Sequence, residues 1–314
     1  MIAEIVIDFL TFTVKGDMEV YQVIESILEM DFATFEHSKG FNFYQKSMVY
    51  SDIRILYDGI YGESMGVCVN MSGRGCRAFE EYHNESIIFL LARICKNPDI
   101  NITRIDIACD DKVGILDLDK MWKYANNGSY RTRLIARNTH ESFMGKNEGA
   151  KTLYFGSPSS LYRIRIYDKG KQSETYNHWI RFEIVLKAEY ASQTAEILVN
   201  SECLGEAVAG IINDKFAFVE LDDNNISRCS LAGWWSEFLG EIQEVKLTSK
   251  QQYNHDIDEH KKWLRNSCGR VIAKVIEAIG EDEFNKEIRE YGKLRLTVAD
   301  VAMIENYRQR INTE

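Results

Sequence analysis

Charged and phenolic side chains alternate with apolar ones in two short segments, RIRIY and IRFEIVL. Successive side chains of a β-strand point to opposite faces. The first segment therefore places Arg163, Arg165 and Tyr167 on one face and its isoleucines on the other. The second places Arg181 and Glu183 on one face, opposite its apolar side chains. Together the two predicted strands offer arginines, a phenol and a carboxylate to one polar surface.

A third segment, TRIDIACDD, carries Arg104, Asp106 and Asp110 in alternation with apolar residues. A carboxylate inside a sheet strand is costly to bury unless it is paired or binds a cation. If the three strands are neighbours, Asp106, Asp110 and Glu183 form an all-oxygen site of the kind that Mg²⁺ or Mn²⁺ prefers. Tyr167 then lies at its edge.

Other interpretations of these residues stay open. Asp110 and its neighbour Asp111 could simply end a strand, since aspartate favours turns, and Asp111 and Asp168 are substitute metal ligands. A tyrosine at a strand end is more often a packing residue. If a tyrosine of this region is catalytic, Tyr154, Tyr162 and Tyr176 are candidates besides Tyr167. Five cations share these strands with the carboxylates, either as a phosphate-binding surface or in mutual salt bridges: Arg104, Arg163, Arg165, Lys169 and Arg181.

At these residues the chain resembles the Rep_trans rolling-circle replication initiators of Gram-positive plasmids and integrative elements. The resemblance spans most of residues 1–240. The Ser-rich turn followed by the RIYDK strand is its most specific part. The matching pieces are IDFLTFTV, MGVCVNMSGRGCRAFE, TRIDIACDD, TLYFGSPSS, RIYDKGKQSE, WIRFEIVLK and WWSEFL.

The resemblance implies a metal-dependent DNA nickase and strand transferase that opens an origin. Tyr167 is then the nucleophile that leaves a 5′-phosphotyrosyl enzyme and a free 3′-hydroxyl, with Arg165 and Lys169 also in the catalytic site. Arg104, Arg163 and Arg181 are expected to bind DNA. The resemblance further implies a homodimer, origin DNA as substrate and a host helicase as partner. A metal-dependent nuclease that uses water and a non-catalytic DNA-binding regulator are the alternatives.

Composition narrows the class of protein. The 314 residues are 45% hydrophobic and 27% charged, as in ordinary globular proteins. The net charge of −10 counts against a non-specific nucleic-acid coat protein, because such proteins use basic surfaces. Seven cysteines without a C-x-x-C pair argue against a zinc ribbon or a disulfide framework and favour a reducing cytoplasm. Glu4 and Asp8 interrupt the apolar start, which therefore does not read as a signal peptide.

Strands and helices that do not alternate strictly predict an α+β fold, a mixed and mostly antiparallel sheet with helices on one face. The turn SGRGC lacks both nucleotide-binding glycine patterns. It is therefore interpreted as a tight turn that positions Arg74 or Arg77, with phosphate binding as the alternative. The polar segment 139–151 is expected to be a mobile connection near the site, and 131–137 a basic strand.

The break at 222–229 predicts a catalytic domain over 1–225 and a helical region over 226–314 that binds the origin or dimerises. Basic residues of that region could follow one helix into a major groove, although solvated faces of a packed helix explain them equally well. Predicted DNA contacts there are Lys261, Lys262 and Arg265, with Arg270 and Lys274 further along the same stripe.

Overall fold

A computed structural model describes residues 3–135, 137–141, 151–173, 178–245 and 269–293. It also describes seven single positions, Ile257, Lys261, Leu264, Arg265, Ile304, Tyr307 and Arg308. The chain divides into two compact units. The first comprises 1–78 and 87–248, and the second comprises 79–86 and 249–314.

Twelve strands are found in the described residues. They are β1 (Glu4–Val14), β2 (Glu36–Lys39), β3 (Tyr44–Tyr50), β4 (Ile53–Gly59), β5 (Val67–Ser72), β6 (Ile100–Asp111), β7 (Tyr130–Thr132), β8 (Arg137–Glu141), β9 (Lys151–Phe155), β10 (Tyr162–Asp168), β11 (Ile180–Lys187) and β12 (Phe216–Phe218).

The described α-helices are α1 (Val20–Gln22), α2 (Gly73–His83), α3 (Ile87–Ile94), α4 (Leu118–Asn127), α5 (Lys169–Gln172), α6 (Glu189–Asn200), α7 (Leu204–Lys215), α8 (Gly233–Gln243), α9 (Gly269–Ile279) and α10 (Glu281–Lys293). A π-helical turn, Val23–Ile27, continues α1, and 3₁₀ turns cover Phe32–Thr34 and Glu63–Met65. No described helix is long and apolar enough to cross a membrane.

Ten strands form one sheet in the order β2-β3-β4-β5-β1-β6-β11-β10-β9-β8, and β7 pairs with β12 in a separate ribbon. All of these pairings are antiparallel. The predicted α+β fold with a mostly antiparallel central sheet and helices is confirmed. We call the side of β6, β11 and β10 that carries Asp106, Glu183 and Tyr167 the site face.

Apolar side chains fill the opposite side of the sheet, where helices cover it. Ile107, Ile164 and Phe182 are fully buried there. Phe182 contacts Trp235 of α8 with ring centroids 5.4 Å apart. Since α8 follows the predicted boundary at residue 225 and packs within the first unit, the core of that unit extends beyond the boundary.

Two segments between α4 and β9 differ from their predictions. Of the predicted basic strand 131–137, only the start lies in β7. Thr132 Oγ1 donates to Lys215 O at 2.9 Å, and Leu134 N–H donates to Thr132 Oγ1 at 3.3 Å. These two hydrogen bonds turn the chain away from the strand. The connection predicted over 139–151 begins as a strand, since 139–141 belong to β8. Residues 142–150 lie outside the described part of the chain.

Candidate active site

Strand β11 lies between β6 and β10, so the three segments that carry the predicted site residues are neighbours. The register places Arg181 opposite both Asp110 and Tyr167. Glu183 lies opposite Arg165. Directly opposed residues share a face of the sheet, so the site face brings together the arginines, carboxylates and phenol as the sequence predicts.

Each of the three predicted metal-binding carboxylates is hydrogen-bonded to an arginine. Asp106 accepts two hydrogen bonds from Arg104, at 2.8 Å from Nε and 2.6 Å from Nη2. Glu183 accepts from Arg165 Nη2 at 2.7 Å. The carboxylates are almost fully buried, whereas the two arginine side chains are 36% and 34% exposed. Arg104 and Arg165 can therefore swing toward solvent at lower cost than the carboxylates can.

Asp110 has a different environment. Both of its oxygens accept from Arg181, from Nε and from Nη2 at 2.7 Å each. Both side chains are buried, and Arg181 also reaches Asp8 at 2.9 Å. Two parallel charge-assisted hydrogen bonds fix the planes of both groups. This geometry favours Asp110 as the residue that orients Arg181, and its assignment as a metal ligand stays a prediction.

Burial changes the proton affinity of the other two carboxylates. Desolvation raises the pKa of Asp106 above its usual value, against the lowering effect of Arg104. Desolvation likewise raises the pKa of Glu183, against Arg165, and the charges of Asp106 and Asp8 raise it further. The three carboxylates Asp8, Asp106 and Glu183 therefore repel one another across the site face.

Asp8 is a site residue that the sequence analysis missed. The register of β1 against β6 shifts between Ile7 and Phe9, so Asp8 lies in a β-bulge, a device that re-aims a side chain. A Cβ atom on Gly73 would lie 2.5 Å from Asp8 Oδ1, so a larger residue there would require this carboxylate to move. The signal that identified Asp106, a carboxylate inside an apolar strand, could also have identified Asp8.

The SGRGC segment supports the same region, and its residues 73–76 begin α2 directly after β5. Arg77 Nη2 donates to Ile7 O at 3.0 Å, next to the bulge. Arg74 pairs with Asp52, at 2.6 Å between Nε and Oδ2. The predicted tight turn is therefore wrong, and the two arginines are positioned by the first turns of a helix.

Tyr167 is 6% exposed and lies under a cation. The Arg165 guanidinium carbon is 4.3 Å from its ring centroid, and its hydroxyl lies 3.5 Å from Glu183 Oε2, at the limit of a hydrogen bond. Burial, then the charge of Glu183, raises the pKa of Tyr167 to about 12. Lys169 Nζ is 5.9 Å from the same ring centroid, and burial and the charge of Arg181 lower its pKa. The phenol is thus protonated at rest, and it lies beside a carboxylate and an ammonium group whose pKa is lowered.

The rival tyrosines have different surroundings. Tyr154 lies opposite Arg165 on the site face, with Arg163 stacked 4.3 Å from its ring centroid. Tyr162 points to the helix-covered side, where its hydroxyl reaches Lys215 O at 3.4 Å. Tyr176 lies outside the described residues. Tyr154 is therefore the rival that shares the face with the carboxylates.

The substitute ligands Asp111 and Asp168 both cap local backbone. Asp111 accepts from three backbone N–H groups, of which Leu116 is nearest at 2.7 Å, and from His178 at 3.1 Å. Asp168 accepts from Lys171 N at 2.8 Å and caps α5. Both side chains have structural partners that a metal ligand would need to give up.

The site face offers oxygen ligands of the kind that divalent cations prefer, but these ligands are not arranged around a common point. In the described part of the chain no three His, Cys, Asp or Glu side chains are close enough together to hold a metal ion. Asp106 and Glu183 nevertheless offer buried oxygen ligands, which hard cations prefer. The guanidinium groups of Arg104 and Arg165 supply the positive charge that a metal would bring.

Predicted DNA contacts lie in both units. In the first, Arg104 stacks 3.9 Å from the ring centroid of Phe9, a partner that the sequence analysis did not identify. In the second, Lys261 and Arg265 are exposed, and Lys261 Nζ bonds to Tyr307 Oη at 3.1 Å. Lys262 and the side chain of Arg270 lie outside the described residues.

Comparison with known families identifies the family to which this fold belongs. The family model described as replication initiation factor matches residues 100–291, which hold β6, β10 and β11. The chain belongs to this family of rolling-circle replication initiators. A second model, described as rolling circle replication initiation protein N-terminal domain, matches residues 4–88. The resemblance seen in the sequence is thus confirmed.

Two relatives of this replication initiation factor agree with that assignment. The putative DNA relaxase NicK of Bacillus subtilis (strain 168) is 30% identical over 291 residues, which are 87% of this chain and 82% of that protein. A solved structure of the rolling circle replication initiator protein from Geobacillus stearothermophilus matches with a TM-score of 0.71 and 28% identity. It covers 79% of this chain and 99% of that chain.

Proposed function

We propose that this chain nicks and rejoins one strand of origin DNA through the hydroxyl of Tyr167. The observation that carries the proposal is the position of Tyr167, a buried phenol beside Glu183 and under Arg165 in a rolling-circle initiator fold. Membership of the initiator family supports DNA as the substrate. The relaxase name of the Bacillus relative supports strand cleavage as the reaction class.

The first step transfers a phosphoryl group to the protein. Glu183 accepts the phenolic proton as Tyr167 Oη attacks phosphorus, and the P–O3′ bond breaks. Lys169, whose lowered pKa makes it a better acid, donates a proton to the departing 3′ oxygen. The products are a 5′-phosphotyrosine and a free 3′-hydroxyl. Reversal of the step, with a 3′-hydroxyl as nucleophile, rejoins the strand.

Arginines bind the phosphate in this proposal. The Nε atoms of Arg163 and Arg165 are buried and have no hydrogen-bond partner in the described residues. Unpaired buried donors are costly unless a ligand accepts from them. Phosphate oxygens are suitable acceptors, because guanidinium binds them with charge-assisted hydrogen bonds.

Asp106 and Glu183 would hold Mg²⁺ or Mn²⁺ once Arg104 and Arg165 turn toward the phosphates. A bound divalent cation supplies Lewis-acid stabilisation of the charge that develops on the phosphate. Asp110 keeps Arg181 oriented, and Asp8 adds negative charge beside the site. Homodimerisation and a helicase partner stay predictions from the family resemblance.

A gel assay tests the proposal. Labelled single-stranded oligonucleotides that tile the DNA around the gene are incubated with the protein and Mg²⁺ or Mn²⁺, then separated under denaturing conditions. The wild type should form a protein-linked fragment, Tyr167→Phe should form none, and the matched control Tyr154→Phe should form it normally. Cleavage without a linked fragment would indicate a water-using nuclease. Binding without cleavage, insensitive to chelators, would indicate a regulator.

A further inference from the structure

Large apolar side chains are exposed together on the turns that flank β3 and β4. Phe43 is 63% exposed, Tyr61 69%, Ile60 53% and Phe41 38%. The rings of Phe43 and Tyr61 are in contact, with centroids 5.8 Å apart. We call these four residues the aromatic cluster. Three rings exposed on neighbouring turns form a larger apolar surface than a single exposed residue, and such surfaces commonly bind a ligand.

The backbone keeps Phe43 exposed in a conformation that disfavours it. Tyr44 N donates to Phe41 O at 3.0 Å, which closes a turn whose two central residues, Asn42 and Phe43, have φ values of 50° and 69°. Turns with two positive φ values favour glycine at the second position. Ile60 N donates to Phe43 O at 2.9 Å and holds the turn. A bulky residue kept in a strained, exposed position points to a function for its side chain.

The aromatic cluster is connected to the site face through Arg54. Arg54 of β4 lies opposite Asn70, Asn70 opposite Thr11, and Thr11 opposite Arg104, so all four share one side of the sheet. The Arg54 guanidinium carbon is 6.0 Å from the ring centroid of Phe41. Three strand spacings, about 14 Å in total, separate Arg54 from Arg104. Cations therefore follow the face from the proposed nicking site to the cluster.

Pairs of an arginine with an aromatic ring recur along this path. Arg163 stacks on Tyr154, and Arg104 on Phe9, before Arg54 meets Phe41. Proteins that hold single-stranded nucleic acid combine cations that follow the backbone with rings on which the bases stack. Because the chain as a whole carries a net charge of −10, it needs a local path of cations to attract DNA.

We propose that the aromatic cluster is a stacking site for unpaired bases of the DNA strand that crosses the site face. The inference rests on the proposed function for its substrate, single-stranded DNA. The rings of Phe43 and Tyr61 provide the stacking surfaces, and Arg54 contacts the adjoining phosphate. Stacking tolerates any base, because every base has a π-face. The site therefore adds affinity for unwound DNA rather than sequence preference.

The test is a pair of glycine substitutions in one turn. Phe43→Gly removes the ring and accepts the positive φ, so the melting temperature should stay equal or rise. Affinity for a labelled single-stranded oligonucleotide of about 16 nucleotides, measured by fluorescence anisotropy, should fall about tenfold, which is about 1.4 kcal/mol. Asn42→Gly relieves the same kind of strain without removing a ring, so it should bind like the wild type.

Equal affinity of Phe43→Gly and the wild type overturns the proposal, and so does an equal loss in both glycine variants. If Phe43→Gly lowers the melting temperature, Tyr61→Leu tests the proposal instead. The side chain of Tyr61 is mostly exposed, so its replacement should not affect folding. The affinity of this variant should fall severalfold, and wild-type affinity overturns the proposal. If a variant changes the molecular mass measured by light scattering but not the DNA affinity, a second copy of the chain occupies the cluster. That result also overturns the proposal.

The nicking proposal is tested by a different measurement, the formation of the covalent adduct. Adduct formation on a short oligonucleotide that spans only the cleavage position should be unchanged in Phe43→Gly, because the cluster lies away from Tyr167. Absence of an adduct in the wild type rejects nicking. The comparison of affinities between Phe43→Gly and the wild type still accepts or rejects the stacking site.

Discussion

Arg181 and Asp110 form two parallel hydrogen bonds across β11 and β6, at 2.7 Å each, with both side chains buried. Burial, and then the charge of Arg181, lowers the pKa of Lys169. The pair therefore links the stability of the central sheet to the electrostatics of the proposed site.

Asp110→Asn should destabilise the protein strongly. Removal of one partner leaves a buried charge without full compensation, which costs about 3–5 kcal/mol. Chemical denaturation measures this change. Lys46→Ala is the matched control, since it breaks the exposed pair with Asp58 and should leave stability nearly unchanged. A normally stable Asp110→Asn protein that has lost only its response to Mg²⁺ would support Asp110 as a metal ligand instead.

Mg²⁺ or Mn²⁺ should raise the melting temperature of the wild type. A ligand that binds the folded state at 100 times its Kd stabilises it by about 2.7 kcal/mol. Asp106→Asn and Glu183→Gln should abolish the shift, because each removes a proposed oxygen ligand. Glu25→Gln, an exposed carboxylate of the first unit, is the control and should keep the full shift. A normal shift in the first two variants would place the metal elsewhere.

Stability without metal should depend on the ionisation of Glu183. Burial raises the pKa of Glu183, so the folded state binds its proton more tightly than the unfolded chain does. Its contribution to stability is therefore fully present below the unfolded pKa and is lost as the pH rises through the folded pKa. Glu183→Gln is uncharged throughout, so its stability relative to the wild type should increase from acidic to neutral pH. Thermal denaturation of both proteins across this range measures the difference, and a constant difference would contradict the burial effect.

Lys261 and Arg265 are expected to contact the phosphates of duplex DNA, because both are exposed in the second unit. Replacement of both by alanine should weaken duplex binding and reduce the slope of log affinity against log salt by roughly 2. Lys286→Ala with Arg289→Ala removes the same charge from exposed positions of α10 and should alter the slope less. Equal effects in the two double variants would indicate long-range attraction rather than contact.

Local alternation was enough to assign faces in the central strands. Arg163, Arg165 and Tyr167 lie on the site face as the period of two predicts, and Tyr162 lies on the opposite side. The same rule placed Glu183 with the arginines and Phe182 in the core. A strand has only two faces and one of them is apolar, so the identities of neighbouring residues determine which way each side chain points.

What the sequence determined by itself was therefore the content of the site face, through alternation and through the family resemblance. The tertiary structure decided which strands are neighbours, because β11 pairs with β6 across a long separation in the chain that no local pattern encodes. It also decided the partner of each carboxylate and brought Asp8 to Arg181 through a bulge. Those contacts depend on strand order and register, which follow from the burial of the whole sheet under its helices.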